Sequence, residues 1–178
     1  MIDRRHSGMV ASFICATLCA LAVAACRADG TGGPAVQAVF NGGCEGLLLS
    51  QVARARSEIL VAAYSITRPA IVGALIEACH RGVRVKVKYD AKQADYEGMK
   101  DALDDLRRHG IKCWPIWIPE THASMHDKFM VIDRRLVLTG SYNYTSPASE
   151  MNYENLVLIQ LPAVADTYAA EFAAIRNR

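Results

Sequence analysis

Ser124-Met-His-Asp-Lys-Phe-Met-Val-Ile-Asp-Arg-Arg-Leu-Val-Leu-Thr-Gly-Ser-Tyr-Asn-Tyr-Thr145 is the stretch around which the rest of the chain is organised. Phe129 to Ile132 and Leu136 to Thr139 are short apolar runs rich in β-formers, and polar Asp133-Arg134-Arg135 separates them, so the unit predicts a hairpin. His126 and Lys128 are two apart, which in an extended chain puts both side chains on one face, about 7 Å apart. The return strand ends in Gly140-Ser141-Tyr142-Asn143, where glycine permits a sharp turn and Ser141 and Asn143 are again two apart. An imidazole, an ammonium, a hydroxyl and a carboxamide are thereby expected at one end of the hairpin.

That set suits attack on a phosphodiester. The diester gains negative charge on its equatorial oxygens when attacked, so a site for it needs a nucleophile and fixed donors. His126 is the expected nucleophile, because imidazole with an ordinary pKa of about 6.5 is available at neutral pH and can form a phosphoramidate. Lys128 and Asn143 are expected to hold the phosphoryl oxygens and Ser141 to donate a further hydrogen bond.

The spacing H-x-K-x4-D-x6-G-S-x-N, filled at His126, Lys128, Asp133, Gly140, Ser141 and Asn143, resembles the HKD signature of the phospholipase D superfamily. From about Val36 to the C-terminus, the order of elements looks like the small bacterial nuclease branch with one motif per chain. The resemblance implies a metal-independent homodimer with no cofactor, in which two motifs meet at the subunit interface. One histidine then attacks and the other protonates the leaving oxygen. It also implies phosphate binding by Lys128 and Asn143, assisted by Ser141. Asp133 belongs to the motif, and its place in the hairpin turn favours a structural role. Glu154, in Asn152-Tyr-Glu-Asn155, matches a family acid expected to orient the His126 ring through its second nitrogen.

Outward from the motif, residues 1–25 combine a basic opening, Asp3-Arg4-Arg5-His6, with the uncharged apolar run Met9 to Ala25, the layout of a secretory signal peptide. Val23-Ala-Ala-Cys26 looks like a bacterial lipobox, which would leave Cys26 lipidated as a membrane attachment. An ordinary small-residue cleavage site between Ala22 and Ala28 competes with it. The expected organisation is a leader at 1–26, a flexible joint at 27–34 and a catalytic domain at 35–178, exported to the periplasm or secreted. About 150 residues remain after the leader, enough for one domain. No second H-x-K occurs, so a two-histidine mechanism requires dimerisation.

Charge says less. The chain carries 20 Lys and Arg against 18 Asp and Glu; without Arg4, Arg5 and Asp3 this becomes 18 against 17. A near-neutral exported part must attract nucleic acid through local clusters, with Arg81, Arg84, Lys86, Lys88, Arg107, Arg108, Arg134 and Arg135 as candidates. Of the six cysteines, Cys26, Cys44, Cys79 and Cys113 lie outside the apolar leader run. Export permits a disulfide among them. No C-x-x-C pair argues for zinc.

Along the domain, strands are expected at Ala35 to Phe40, Glu58 to Tyr64, Val83 to Tyr89, Ile111 to Ile118 and Asn152 to Gln160. Helices are expected at Cys44 to Arg56, from Pro69 to Gly82, at Tyr96 to His109 and from Pro162 onward. Thr145-Ser-Pro-Ala-Ser reads as a loop. Val83 to Tyr89 alternates Val with Arg or Lys, giving one buried and one basic face. Asp90 reads as the start of a turn or a site residue. The loop Pro119 to Met125 should border the site. Tyr142 and Tyr144 are candidates for stacking on bases, with Tyr142 the substrate contact, while Trp117 reads as core. Alternating elements imply a single-domain α/β/α sandwich with a mixed β-sheet and right-handed parallel βαβ units in the first half.

Four functions follow. The first is a nonspecific endonuclease on DNA or RNA working through a phosphohistidine. The second is a phospholipase D or transphosphatidylase with the same chemistry. The third is a metal site built on the i, i+4 pair His122 and His126, which lacks the Glu of H-E-x-x-H. The fourth is a lipoprotein that binds nucleic acid without cutting it.

Overall fold

The computed structural model describes residues 35–178, so the leader, the joint and Cys26 lie outside the described residues. Seven strands form one mixed sheet: β1 (Val36–Phe40), β2 (Glu58–Ala63), β3 (Arg84–Asp90), β4 (Lys112–Ile116), β5 (Lys128–Ile132), β6 (Leu136–Gly140) and β7 (Asn155–Ile159). Five helices accompany them: α1 (Gly43–Arg54), α2 (Pro69–His80), α3 (Met99–Arg108), α4 (Ser146–Glu150) and α5 (Pro162–Ala174). The sheet order is β1-β7-β6-β5-β2-β3-β4. β2 and β3, and β3 and β4, pair parallel, whereas β2–β5, β5–β6, β6–β7 and β1–β7 pair antiparallel. The α/β sandwich with a mixed sheet is therefore the fold of this chain.

β2 is central because every one of its residues is buried. Ile59, Val61 and Ala63 pack with Leu48 and Val52 of α1, Ile71 and Leu75 of α2, and Leu103 and Leu106 of α3. Leu60 and Ala62, facing the other way, join Phe129, Val131 and Val137 beneath Ala165, Ala169 and Phe172 of α5. A strand buried on both faces reads as a continuous apolar run, as Ile59 to Ala63 does.

Three expectations need correction. β1 does not lie beside β2: it crosses to the far edge and pairs antiparallel with β7, so the parallel pairs begin with β2. The segment after Thr145 is the short helix α4, with the Thr145 hydroxyl accepting from Ala148 N at 3.4 Å and Pro147 in the first turn. Trp117 is 50% exposed rather than core, because it lies beyond edge strand β4 where α5 does not reach. Cys44, Cys79 and Cys113 are all free thiols.

Candidate active site

The β5–β6 hairpin forms as its sequence implies, and its turn is fixed by Asp133. Asp133 and Arg134 both have φ of 53°, and Arg135 N donates to the Ile132 carbonyl at 3.0 Å, the pattern of a type I′ turn. The Asp133 carboxylate accepts from Arg56 N, Ser57 N and Glu58 N at 2.7–3.2 Å and from the Ser57 hydroxyl at 2.8 Å, tying the turn to the start of β2. Burial pushes its pKa up, but these donors outweigh burial and hold the carboxyl below the usual range. Asp133 therefore sits at the opposite end of the hairpin from His126 and acts on the frame.

At that other end the four central strands stop in a row: Ala63 is level with Lys128, Phe129 with Thr139, and Gly140 with Leu156. Lys128 opens β5 and is 9% exposed, while His126, two residues earlier, is exposed. Lys128 Nζ lies 3.2 Å from His126 Nδ1 and 3.3 Å from Nε2, and it donates to the His126 carbonyl at 2.8 Å. The Tyr64 ring packs edge-on to the imidazole with centroids 4.7 Å apart. Burial lowers the Lys128 pKa, and the negative charges of Glu154 and Asp127 offset part of that.

Beyond the hairpin, Gly140 lies against β7 so closely that a Cβ there would fall 2.2 Å from the Asn155 carbonyl oxygen. That closeness brings Ser141 to Glu154. The Ser141 hydroxyl donates to Glu154 Oε2 and accepts from Asn155 N at 3.1 Å and Asn155 Nδ2 at 3.2 Å. Glu154, 8% exposed, also accepts from Asn152 Nδ2 at 3.2 Å, and its backbone is clamped by Asn41 in both directions. Asn143 follows, its Oδ1 buried and without a hydrogen-bond partner among the described residues. That oxygen accepts rather than donates, so it is not the atom to meet a phosphoryl oxygen; that role would fall to the Asn143 amide nitrogen.

Several expected roles change. Among the described residues the Glu154 oxygens accept from Ser141 and Asn152 rather than from His126, which meets Lys128 and Tyr64. Ser141 has one hydroxyl proton, and that proton is directed to Glu154 rather than outward. Tyr142 and Tyr144 are each 1% exposed, packed at 6.0 Å between ring centroids, so neither presents a stacking surface and Tyr142 is no substrate contact. The alternating direction of the chain sends the tyrosines inward and Ser141 and Asn143 toward the strand ends. His122 lies in a turn and residues 123–127 form no helix, so the pair His122 and His126 lacks the helical face that a metal site needs.

Tyr64 and Lys92 join the site without a sequence signal, and Asp90 joins it as one of the two readings its place after β3 offered. Tyr64 is recognisable only as the residue after a buried strand, and its phenol is held by Gln93 Nε2 at 2.8 Å. Asp90 is both turn and clasp: one oxygen accepts from Lys92 N at 3.0 Å and the other from Met125 N at 2.7 Å, fastening the segment that leads into His126. Lys92 Nζ adds bonds to the Glu120 and Ala123 carbonyls, each at 2.7 Å. In front of the strand ends lies a cleft of about 510 Å³, lined by His126, Lys128, Thr139 and Gly140 and, from α5, by Thr167, Tyr168 and Glu171.

Fold and site together define a phospholipase D-like protein. Residues 48–176 match the family described as cardiolipin synthase, PLD-like domain, and the chain belongs to that family. Among named relatives, it is 32% identical over 136 residues to a phospholipase D of Rickettsia bellii, covering 76% of this chain and 65% of that protein. It is 30% identical over 129 residues to a mitochondrial cardiolipin hydrolase of Mus musculus, covering 72% of this chain and 56% of that one. The chain thus spans less than two thirds of the length of these relatives. Among solved structures, the phospholipase D family member Nuc from Salmonella typhimurium superposes with a TM-score of 0.73 at 30% identity, over 79% of this chain and 92% of Nuc. NucT from Helicobacter pylori superposes at 0.71 with 20% identity, over 79% of this chain and 95% of NucT, a likeness of fold.

Proposed function

We propose that this chain is a metal-independent phosphodiesterase acting chiefly as a nonspecific endonuclease on DNA, and on RNA as the related substrate. The observation that carries the reading is the exposed His126 imidazole with the Lys128 ammonium beside both ring nitrogens, at the mouth of an open cleft. The ammonium is placed to hold a phosphoryl oxygen beside the imidazole, whose unprotonated nitrogen would supply the lone pair for attack.

In the proposed reaction a His126 ring nitrogen bonds to phosphorus as the P–O bond to the leaving alkoxide breaks. The His126 of a second copy gives that oxygen its proton. The same imidazole then takes a proton from water, whose oxygen displaces His126 and restores both rings. Lys128 and Asn143 hold the phosphoryl oxygens throughout. Glu154, through Ser141, positions the β6–β7 junction and adds a negative charge that keeps Lys128 protonated. The single motif per chain makes the homodimer part of this proposal, with exposed Met151 and Tyr153 beside Glu154 as contact surface. Export through residues 1–26, and membrane attachment through a lipidated Cys26, complete it on the strength of the leader's uncharged apolar run.

A second reading, a phospholipase D or transphosphatidylase on phospholipids, is favoured by the names of the phospholipase D and cardiolipin hydrolase relatives. The test is wild type and His126→Ala on plasmid DNA and on phosphatidylcholine and cardiolipin vesicles, all in EDTA. Nicking by wild type, with a loss of several orders of magnitude in the variant, supports the endonuclease. Vesicle cleavage without nicking selects the lipid reading, and activity that survives in the variant defeats both.

A further inference from the structure

A second cavity, about 730 Å³, lies on the other flank of α5 and shares no lining residue with the catalytic cleft. It exists because α5 covers β2, β5 and β6 but leaves the same face of β3 and β4 open. Its floor is apolar: Leu60, Trp114, Ile116, Phe172 and Ile175. Its rim is cationic, carrying Lys86, Lys88, Lys112, Arg134 and Arg176 against the single carboxylate of Glu58. The alternation of β3 and its register with β4 produce this row, since Lys86 is level with Lys112 and Lys88 with Trp114.

The cations divide by function. Lys88 is committed to the fold, donating to the Phe172 and Ile175 carbonyls at 2.6 and 2.7 Å. Lys86 and Arg134 share Glu58 at 3.4 and 3.7 Å, and Arg134 also pairs with Asp166 at 3.4 Å. Lys112 and Arg176 have no ion-pair partner among the described residues. The far end is closed by the C-terminal residues, where Arg178 N donates to the Trp117 carbonyl at 3.1 Å and Trp117 N to Asn177 Oδ1 at 2.9 Å.

We propose that this groove binds a single-chain anionic amphiphile, its alkyl chain along Trp114 and Ile175 and its head between Lys112 and Arg176. Charge complementarity selects an anion, and the apolar floor selects a chain over a bare ion. A strand of nucleic acid fits less well, because stacking needs successive exposed aromatic faces, and among the lining residues Trp114 is exposed while Phe172 is buried beneath Lys88. The volume lies within the range of about 300–1,000 Å³ typical of small-molecule sites, suited to one chain.

The test is fluorescence titration of the full chain with decyl phosphate below its critical micelle concentration. Saturable binding is expected to shift emission in wild type and not in Trp114→Phe, which retains Trp117. Extending the chain by two methylenes should tighten binding about ten-fold. Lys112→Glu with Arg176→Glu should weaken it at least about ten-fold. Ala173→Trp, a substitution at an exposed lining position, should do the same by filling the groove. Equal binding of decyl maltoside, displacement by an oligothymidylate, or no saturable signal overturns the proposal. A Trp114 signal that follows protein concentration without amphiphile assigns the groove to a second copy and overturns it too.

Discussion

Lys128 Nζ stands 3.2 and 3.3 Å from the two ring nitrogens of His126 while burial lowers its own pKa. A lysine that must stay charged to bind phosphate is therefore closer to losing its proton than a surface lysine. Burial is the larger influence, and Glu154 and Asp127 act against it.

This relationship sets the alkaline side of the pH profile. Phosphate binding by Lys128 is complete below its folded pKa and fades as pH rises through it, so kcat/KM should begin to fall below the ordinary lysine value of about 10.4. Lys128→Arg, charged throughout, should remove this limb while lowering the plateau, because a planar guanidinium does not replace a compact ammonium at this distance. Glu154→Gln should move the limb to lower pH. A limb unchanged in both variants would assign it to another group.

At the far end of the hairpin, Asp133 makes a pH-dependent contribution of the opposite kind. Its folded pKa is depressed, so its stabilisation is present above the unfolded value of about 3.9 and is lost as pH falls through the folded value. Asp133→Ala should lower stability at neutral pH by about 2–3 kcal/mol through the loss of its charge-assisted bonds. Its melting temperature should also depend less on pH in the acid range. Activity of the folded fraction is expected to persist, which calorimetry beside single-turnover assays would check.

Gly140 is required by space. With Asn155 O only 2.2 Å from an added Cβ, Gly140→Ala should cost about 3 kcal/mol, seen as a melting temperature lower by roughly 6–12 °C. It should also separate Ser141 from Glu154 and reduce kcat more than it raises KM. Ser141→Ala, which makes no clash, should lower kcat with a smaller loss of stability, that of its bonds to Glu154 and Asn155.

Asp90 reaches the site through Met125. Asp90→Ala removes the acceptor for Met125 N and should loosen residues 119–125. A fall in kcat/KM of about ten- to a hundred-fold is expected from misplacing His126. Hydrogen exchange at Met125 should rise while protection in β2 and β5 stays intact. Unchanged exchange at Met125 would mean that the loop is held by Lys92 alone.

The two ends of this hairpin differ in how far the sequence makes them legible. The apolar runs Phe129 to Ile132 and Leu136 to Thr139, the Asp133 turn and the apolar run of β2 each follow from local composition and turn chemistry. So do most helix positions, since Gly82 and Gly110, both at positive φ, end α2 and α3 as their sequence places imply. The placement of β1 was not legible, because a βαβ pattern does not say which strand a terminal segment will meet. α4 was missed because a five-residue helix carries no periodic apolar stripe, only the Thr145 cap and Pro147.

The residue types and spacing of the HKD stretch were determined by the sequence alone, and with them the chemistry on offer, because those depend on neighbours along the chain. Only the tertiary structure decided that Tyr64 rather than Glu154 faces His126, that Glu154 engages Ser141, that Asp90 holds Met125 and that Tyr142 is buried. Those relationships join strands far apart in sequence, and the register of β2, β5, β6 and β7 settles them. Register is fixed by packing both faces of the sheet at once, a condition that no single segment contains.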